Sequence, residues 1–223
     1  MRKSIASVFL VLSAYLSLAQ GGRGFIMSIQ GVPPIAYATW NPTYVISPYI
    51  TLDATKLVVT VGSSVGAQVM LATIGEVTGK YYWEIYLTTY TSLKQIMIGV
   101  SAASPGTWVG NNITSWGVGA VFSTPYKVHN GGYTTYGLAF LQGDIISIAC
   151  DFGGGTMNIY DNGTLVGTSP SWSGLSGTLY PAISNVSSDG FVATANFGQN
   201  AWDTRTATLR ATLASSGYTI GLY

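Results

Sequence analysis

After Ala36, apolar residues recur at every second position over short stretches of the chain. In Tyr82–Leu87, Trp83, Ile85 and Leu87 share one face, while Tyr82, Glu84 and Tyr86 share the other. Ile96, Ile98 and Val100 make a second apolar face, and Ile146, Ile148, Cys150 and Phe152 a third. Phe191, Ala193, Ala195 and Phe197 make a fourth, with Leu57, Val59 and Val61 a fifth nearer the start. A period of two sends successive side chains to opposite sides of an extended backbone, the pattern of a strand in a sheet. Clusters of Gly, Pro, Asn and Asp bound the runs, as turns require. Asp161-Asn162-Gly163 lies between Met157–Tyr160 and Thr164–Val166 and predicts a hairpin, because Asn and Gly accept positive φ. No amphipathic helix is expected from Ala36 onward. Short, evenly spaced strands without helical crossovers predict an all-β chain, with antiparallel sheets packed as a sandwich over residues 36–203.

Composition narrows the setting. Of 223 residues only 8% are charged, about a third of the usual share, while 48% are apolar. The surface must then be wetted by hydroxyls, amides and turn backbone, which suits an extracellular β-protein and excludes intrinsic disorder. The net charge is +1, and Arg2, Lys3 and Arg23 precede Met27, leaving six basic against eight acidic residues beyond it. No basic stripe exists to neutralise phosphates, so a nucleic-acid partner is not expected. Cys150 is the single cysteine, which rules out an internal disulfide and a thiolate zinc site. Inside an apolar run it reads as a small buried hydrophobe. No cofactor or metal is expected.

Residues 1–26 stand apart. Met1-Arg2-Lys3 precedes the uncharged run Ser4–Gln20, with its dense centre Val8–Leu12 and the small residues Ser17 and Ala19 before Gln20. A basic start, an apolar middle and a small-residue end are the parts of a secretory signal. The run is short for a membrane span, which needs about 20 apolar residues. Three readings stay open: a removed signal, a retained anchor or assembly helix, and a translation start at Met27. Residues 204–223 form a C-terminal extension that reads either as a last strand or as a docking arm.

Catalytic chemistry finds little footing. Gly62-Ser63-Ser64-Val65-Gly66 fits the G-x-S-x-G pattern, but a strand-like Ala67–Leu71 follows where a nucleophile elbow needs a helix. His129, the one histidine, lies in Lys127–Gly132 without further ligands at metal spacing and reads as a surface loop residue. Asp144 and Asp151, seven residues apart along a strand, would sit more than ~20 Å from each other, too far for a glycosidase pair. They read as turn-fastening residues. Gly153-Gly154-Gly155 lacks the lysine and helix of a phosphate loop and reads as a hairpin connection. Asn112, Asn162 and Asn185 begin formal glycosylation sequons. The informative features are aromatic rings among Gly, Ser, Thr and Asn: Trp108, Tyr126, Tyr133, Tyr136 and Trp172. Such rings stack on sugar faces, anchor protein partners, or cap a core from its rim. Trp83 and Trp116 are assigned to the core.

Seven segments then occur in a familiar order. Gly79-Lys80-Tyr81-Tyr82-Trp83-Glu84-Ile85, Ile98-Gly99-Val100, Ser115-Trp116-Gly117 and Gly143–Phe152 resemble successive strand motifs of SPRY domains. Asn158–Gly163, Leu179–Ile183 and Asn196-Phe197-Gly198-Gln199 resemble the hairpin, late strand and closing motif of the same family. Thr39-Trp40-Asn41-Pro42 and Ile50-Thr51-Leu52 resemble the lead-in of stand-alone members from bacteriophages and bacteria. The resemblance implies a bent antiparallel β-sandwich, a concanavalin-like jelly roll, with a non-catalytic ligand surface made by loops. It implies peptide, protein or glycan ligands, and the very low charge departs from members that capture charged peptides.

Two functions are expected from these readings. One is a binding and assembly module displayed on a virion or cell surface, recognising a host molecule or a neighbouring subunit. The alternative is a secreted bacterial carbohydrate-binding protein. The partners foreseen are a protein subunit, a second copy of the chain or a surface glycan. A membrane enters only through residues 1–26, if these are retained.

Overall fold

Extended chain dominates the residues described by this computed structural model, which are 35–44, 48–63, 66–90, 95–137, 140–187 and 189–223. The signal-like segment 1–26 lies outside them. In chain order the strands are β1 (Ile50–Leu52), β2 (Val58–Val61), β3 (Val69–Leu71), β4 (Lys80–Tyr90), β5 (Ile96–Ser101), β6 (Ser115–Val121), β7 (Thr124–His129) and β8 (Gly132–Thr135). There follow β9 (Ile145–Asp151), β10 (Thr156–Asp161), β11 (Thr164–Leu165), β12 (Trp172–Ser173), β13 (Tyr180–Asn185) and β14 (Phe191–Asn196), then helix α1 (Ala207–Ser215) and β15 (Thr219–Ile220).

The larger sheet runs β1-β2-β14-β4-β9-β10-β11, with β12 beside β10 and β15 beside β4. The smaller runs β3-β13-β5-β6-β7-β8. Every pairing is antiparallel except that of β15 with β4. The faces expected from the alternation meet in one core: Trp83, Ile85 and Leu87 of β4 and Ile146, Ile148 and Cys150 of β9 join Ile98 and Val100 of β5 and Trp116 of β6. Each fully buried aliphatic side chain there contributes about 1.5–3 kcal/mol. Burial, with the neighbouring Asp151 charge, pushes the Cys150 thiol well above its ordinary pKa, so it behaves as a hydrophobe. The fold is therefore the two-sheet antiparallel sandwich that the pattern predicts.

Three two-residue hairpins tie neighbouring strands. Asn162-Gly163 joins β10 to β11 and Asn130-Gly131 joins β7 to β8, all four residues at positive φ. Phe122-Ser123 joins β6 to β7 with φ of 49° and 64°, a turn whose residue types give no local hint of it. In β5 and β6 the backbones come close enough that a Cβ on Gly99 would lie 2.0 Å from the Trp116 carbonyl oxygen. Gly153–Gly155 connects β9 to β10, as expected.

Two expectations are corrected. A helix does follow Ala36: α1 packs Leu209 and Leu213 with Trp202, Tyr218 and Ile220 against Tyr82 on the outer face of the larger sheet. Its Ala- and Thr-rich sequence carries little amphipathic period, so docking rather than pattern stabilises it. Its end was nevertheless written locally. Gly217, at φ 84°, donates to the Ala214 carbonyl at 3.1 Å, and Tyr218 N–H donates to that of Leu213 at 3.0 Å. These are the paired bonds of a Schellman cap. His129, in turn, is no surface loop residue. It sits on β7 facing inward, stacked on Trp116 at 4.6 Å and 9°.

Candidate functional site

The outer face of the smaller sheet is roofed by the chain between β5 and β6. Trp108 and Val109 lie over Leu71, Met97, Val128 and Ala182, forming a second apolar cluster there. Polar bonds pin the roof. Val109 N–H donates to Ser184 Oγ at 3.0 Å and Gly110 N–H to Ser115 Oγ at 2.7 Å. Gly131 N–H donates to the Gly110 carbonyl at 3.0 Å, and Asn130 N–H to that of Asn112 at 3.1 Å. A Cβ on Gly110 would meet the Val128 carbonyl oxygen at 2.5 Å, so only glycine permits this approach. A loop held at so many points is pre-organised, which reduces the entropy lost when it captures a partner.

Where this roof meets the β2–β3 connection, a pocket of about 420 Å³ opens. Tyr44, Ile50 and Ala67–Val69 line one side and Pro105–Thr107 the other. None of these residues is charged. Tyr44 donates its hydroxyl to the Ala103 carbonyl at 2.5 Å, and burial with the neighbouring Tyr180 raises its pKa. Asn185 anchors the floor: its side-chain oxygen accepts from Gln68 N–H, and its amide donates to the carbonyls of Ser187 and Asp189. Asn185 is fully buried, which withdraws its sequon from solvent.

The five aromatic residues singled out from sequence separate into two groups. Trp108, Tyr133 and Tyr126 join on the outer face of the smaller sheet, with ring centroids 5.5 Å and 5.3 Å apart; Trp108 follows the pocket-lining Thr107 in the chain. Tyr133 is 46% exposed, whereas Trp108 is 9% exposed. Tyr136 and Trp172 lie at the other side of the β7–β8 hairpin, where the two sheets meet. Lys127 Nζ sits 5.2 Å from the Tyr136 centroid and 4.9 Å from that of Trp172, and donates to the Ser171 carbonyl at 3.3 Å. The Tyr136 hydroxyl engages the Val166 and Thr168 carbonyls and Ser171 Oγ, while Trp172 Nε1 donates to the Gly117 carbonyl at 3.1 Å. This second group clips one sheet to the other. The pocket residues around Gln68 and Thr107 carried no signal in the sequence beyond the Pro105-Gly106 turn and the nearby Trp108.

Nucleophilic chemistry gains no support from the geometry. The strand β3, not a helix, follows the Gly62–Gly66 segment, whose residues 64 and 65 lie outside those described. His129 Nδ1 is 2.9 Å from the Ser115 carbonyl oxygen, which only accepts, so Nδ1 carries the proton. Asp144 accepts from Leu141 N–H at 2.6 Å and from the Asn162 amide at 2.8 Å. Asp151 accepts from Gly154 N–H at 2.7 Å and pairs with Lys80 at 3.5 Å. Both carboxylates fasten turns. Among the described residues no group of three His, Cys, Asp or Glu side chains could hold a metal.

The chain is a two-sheet antiparallel sandwich whose laced loops cover one outer face. The sequence profile of the SPRY domain matches residues 80–200, and the chain belongs to the SPRY family. SPRY domains are in general protein-interaction modules without catalytic activity. Curated proteins yield no significant sequence match. Among solved structures, the SPRY domain of human HERC1 is similar at 23% identity with a TM-score of 0.61, covering 73% of this chain and 99% of that one. The TRIM65 PSpry domain is similar at 15% identity and 0.56, over 72% and 92% of the two chains. Stonustoxin is similar at 19% identity and 0.53, over 72% of this chain and 27% of the toxin. These likenesses concern the fold.

Proposed function

We propose that the chain is a binding and assembly module, displayed on a virion or cell surface, that holds an uncharged segment of a host-surface protein or neighbouring subunit. The observation that carries this reading is the uncharged pocket of about 420 Å³, walled by Pro105–Thr107 of a roof held by backbone bonds, with Trp108 next in the chain touching the exposed Tyr133. Interface anchors are typically aromatic and sit in such pre-formed surroundings. The scarcity of charge along the chain matches a partner recognised by shape and hydrogen bonds. The signal-like start and the lead-in motifs support surface display.

The reading as a secreted carbohydrate-binding protein through loop aromatics has less support. Trp108 is nearly covered, and Trp172, held by His129 and the Gly117 carbonyl, serves to clip the two sheets together. The test is co-purification from the native source with wild type, Thr107→Arg and Ala67→Arg, alongside the N-terminal sequence of the isolated chain. A stoichiometric protein partner lost from both arginine variants is the expected result. A partner retained by both would remove the pocket from the interface, and a chain found only in free soluble form would count against assembly.

A further inference from the structure

The opposite face of the molecule holds a second pocket, four of whose eleven lining residues lie beyond the SPRY match, which ends at residue 200. The chain leaving β14 arches over the outer face of the larger sheet and encloses about 370 Å³. Glu84 and Thr194 contribute from the strands beneath; Trp202, Asp203 and Arg205 contribute from the arch. Tyr86, 38% exposed, adds a second ring.

Charge within this pocket is already balanced. Glu84 is buried and pairs with Arg210 at 3.2 Å, an arginine that does not line the pocket. Tyr82, Thr206 and Arg210 all bond Oε1 of Glu84, and none of these bonds uses its second oxygen. Asp203 and Arg205 form a two-point pair at 3.0 Å for both bonds. That pair and its backbone bond hold the Asp203 carboxyl below the usual carboxylate range. A charged ligand would therefore meet no unpaired counter-charge and would have to break a pair. The lining instead combines two aromatic rings with fixed carboxylate, hydroxyl and amide groups. That combination fits a ligand with an apolar face and a rim of hydroxyls. The volume lies near the small end for ligand sites, so one ring fills it.

We propose that this pocket binds one pyranose ring of a neutral glycan, its apolar face against Tyr86 and Trp202 and its hydroxyls donating to the Glu84 and Asp203 carboxylates. Carboxylates are strong acceptors for hydroxyl donors, and aromatic faces suit the C–H side of a sugar. The site is separate from the loop pocket of the smaller sheet and stands on different residues. It also gives the C-terminal extension a function beyond closing the fold.

The test is NMR titration of the full chain with the methyl glycosides of glucose, galactose, mannose and N-acetylglucosamine, with glucuronate as the charged comparison. Saturable shifts of the Trp202 indole N–H with at least one neutral glycoside, and not with glucuronate, are expected. Ala201→Trp, which fills the pocket from an exposed position, is expected to weaken that binding by about tenfold or more at an unchanged melting temperature. Tyr86→Ala provides a second variant outside the core. Absence of shifts at tens of millimolar for all four glycosides would overturn the proposal. So would tighter binding of glucuronate, or shifts that persist undiminished in both variants.

Discussion

Arg210 of the C-terminal helix and Glu84 of β4, 126 residues apart in sequence, form an ion pair in which the two side chains are 16% and 4% exposed. Thr206 and Tyr82 converge on the same carboxylate oxygen, and the Arg210 guanidinium lies 5.6 Å from the Trp202 ring centroid. The pair fastens α1 to the sheet, and Glu84 also lines the outer pocket. Burial and the Glu84 charge push the Tyr82 phenol far above its ordinary pKa, so it remains a donor across the usable pH range.

Removing one partner leaves the other charge buried. Arg210→Met is expected to lower stability by about 3 kcal/mol, read as a shift in urea midpoint at unchanged slope. Glu84→Gln combined with Arg210→Met should recover part of that loss, since no unpaired carboxylate then remains. A double variant less stable than Arg210→Met alone would show that the pair is not what holds the helix.

The Phe122-Ser123 turn places two ordinary L-residues at positive φ, and Phe122 is 65% exposed. Its side chain thus returns little burial for the strain. Replacing the dipeptide by Asn-Gly, which accepts these angles, is expected to raise stability by about 1 kcal/mol. Thermal unfolding of the double variant measures it, and a lower melting temperature would mean that Phe122 makes contacts worth more than the strain.

Asp161 sits at the end of β10 with Oδ1 buried and unpartnered among the described residues. Burial and the nearby Asp144 charge, opposed by Arg205, push its carboxyl up to about 6. Between the ordinary carboxylate range and pH 6 the folded chain holds a proton that the unfolded chain releases. Stability from this group therefore falls as pH rises through that window. Asp161→Asn should be the more stable form at pH 7, by on the order of 1 kcal/mol after allowing for solvent screening, and the two forms should converge in acid. Denaturation curves at pH 4 and pH 7 test the sign.

Tyr133 and Trp108 touch, yet their substitutions should separate binding from folding. Tyr133→Ala exposes little new core and should cost less than about 1 kcal/mol while weakening partner capture. Trp108→Ala removes a nearly buried ring from the roof and should cost about 3 kcal/mol. Equal losses of stability in both would place Tyr133 in the core instead of the binding surface.

The fold was legible because a strand's burial is encoded by its own neighbours. Trp83, Ile85 and Leu87 alternate with Tyr82, Glu84 and Tyr86, and the sheet places the first set inside. Asn162-Gly163 specifies its hairpin through the φ values those residues tolerate. The site was legible only in part. Trp108, Tyr126 and Tyr133 stood out as rings among polar residues and meet one another on the outer face of the smaller sheet. Tyr136 and Trp172 look the same in sequence but clip the sheets together around Lys127.

What the sequence determined by itself is whatever rests on local stereochemistry: period-two strands, turn residues, a core of alternating apolar side chains, and a surface nearly free of charge. Even the Gly217 cap was local, although the weakly patterned helix before it was not. Tertiary structure alone decided which distant groups meet. It set Glu84 under Arg210, His129 on Trp116, and the Pro105–Thr107 loop beside Ala67–Val69. A pocket is the space left when separate segments pack, and a buried charge finds its partner across the fold. Neither is written in the residues adjacent to it.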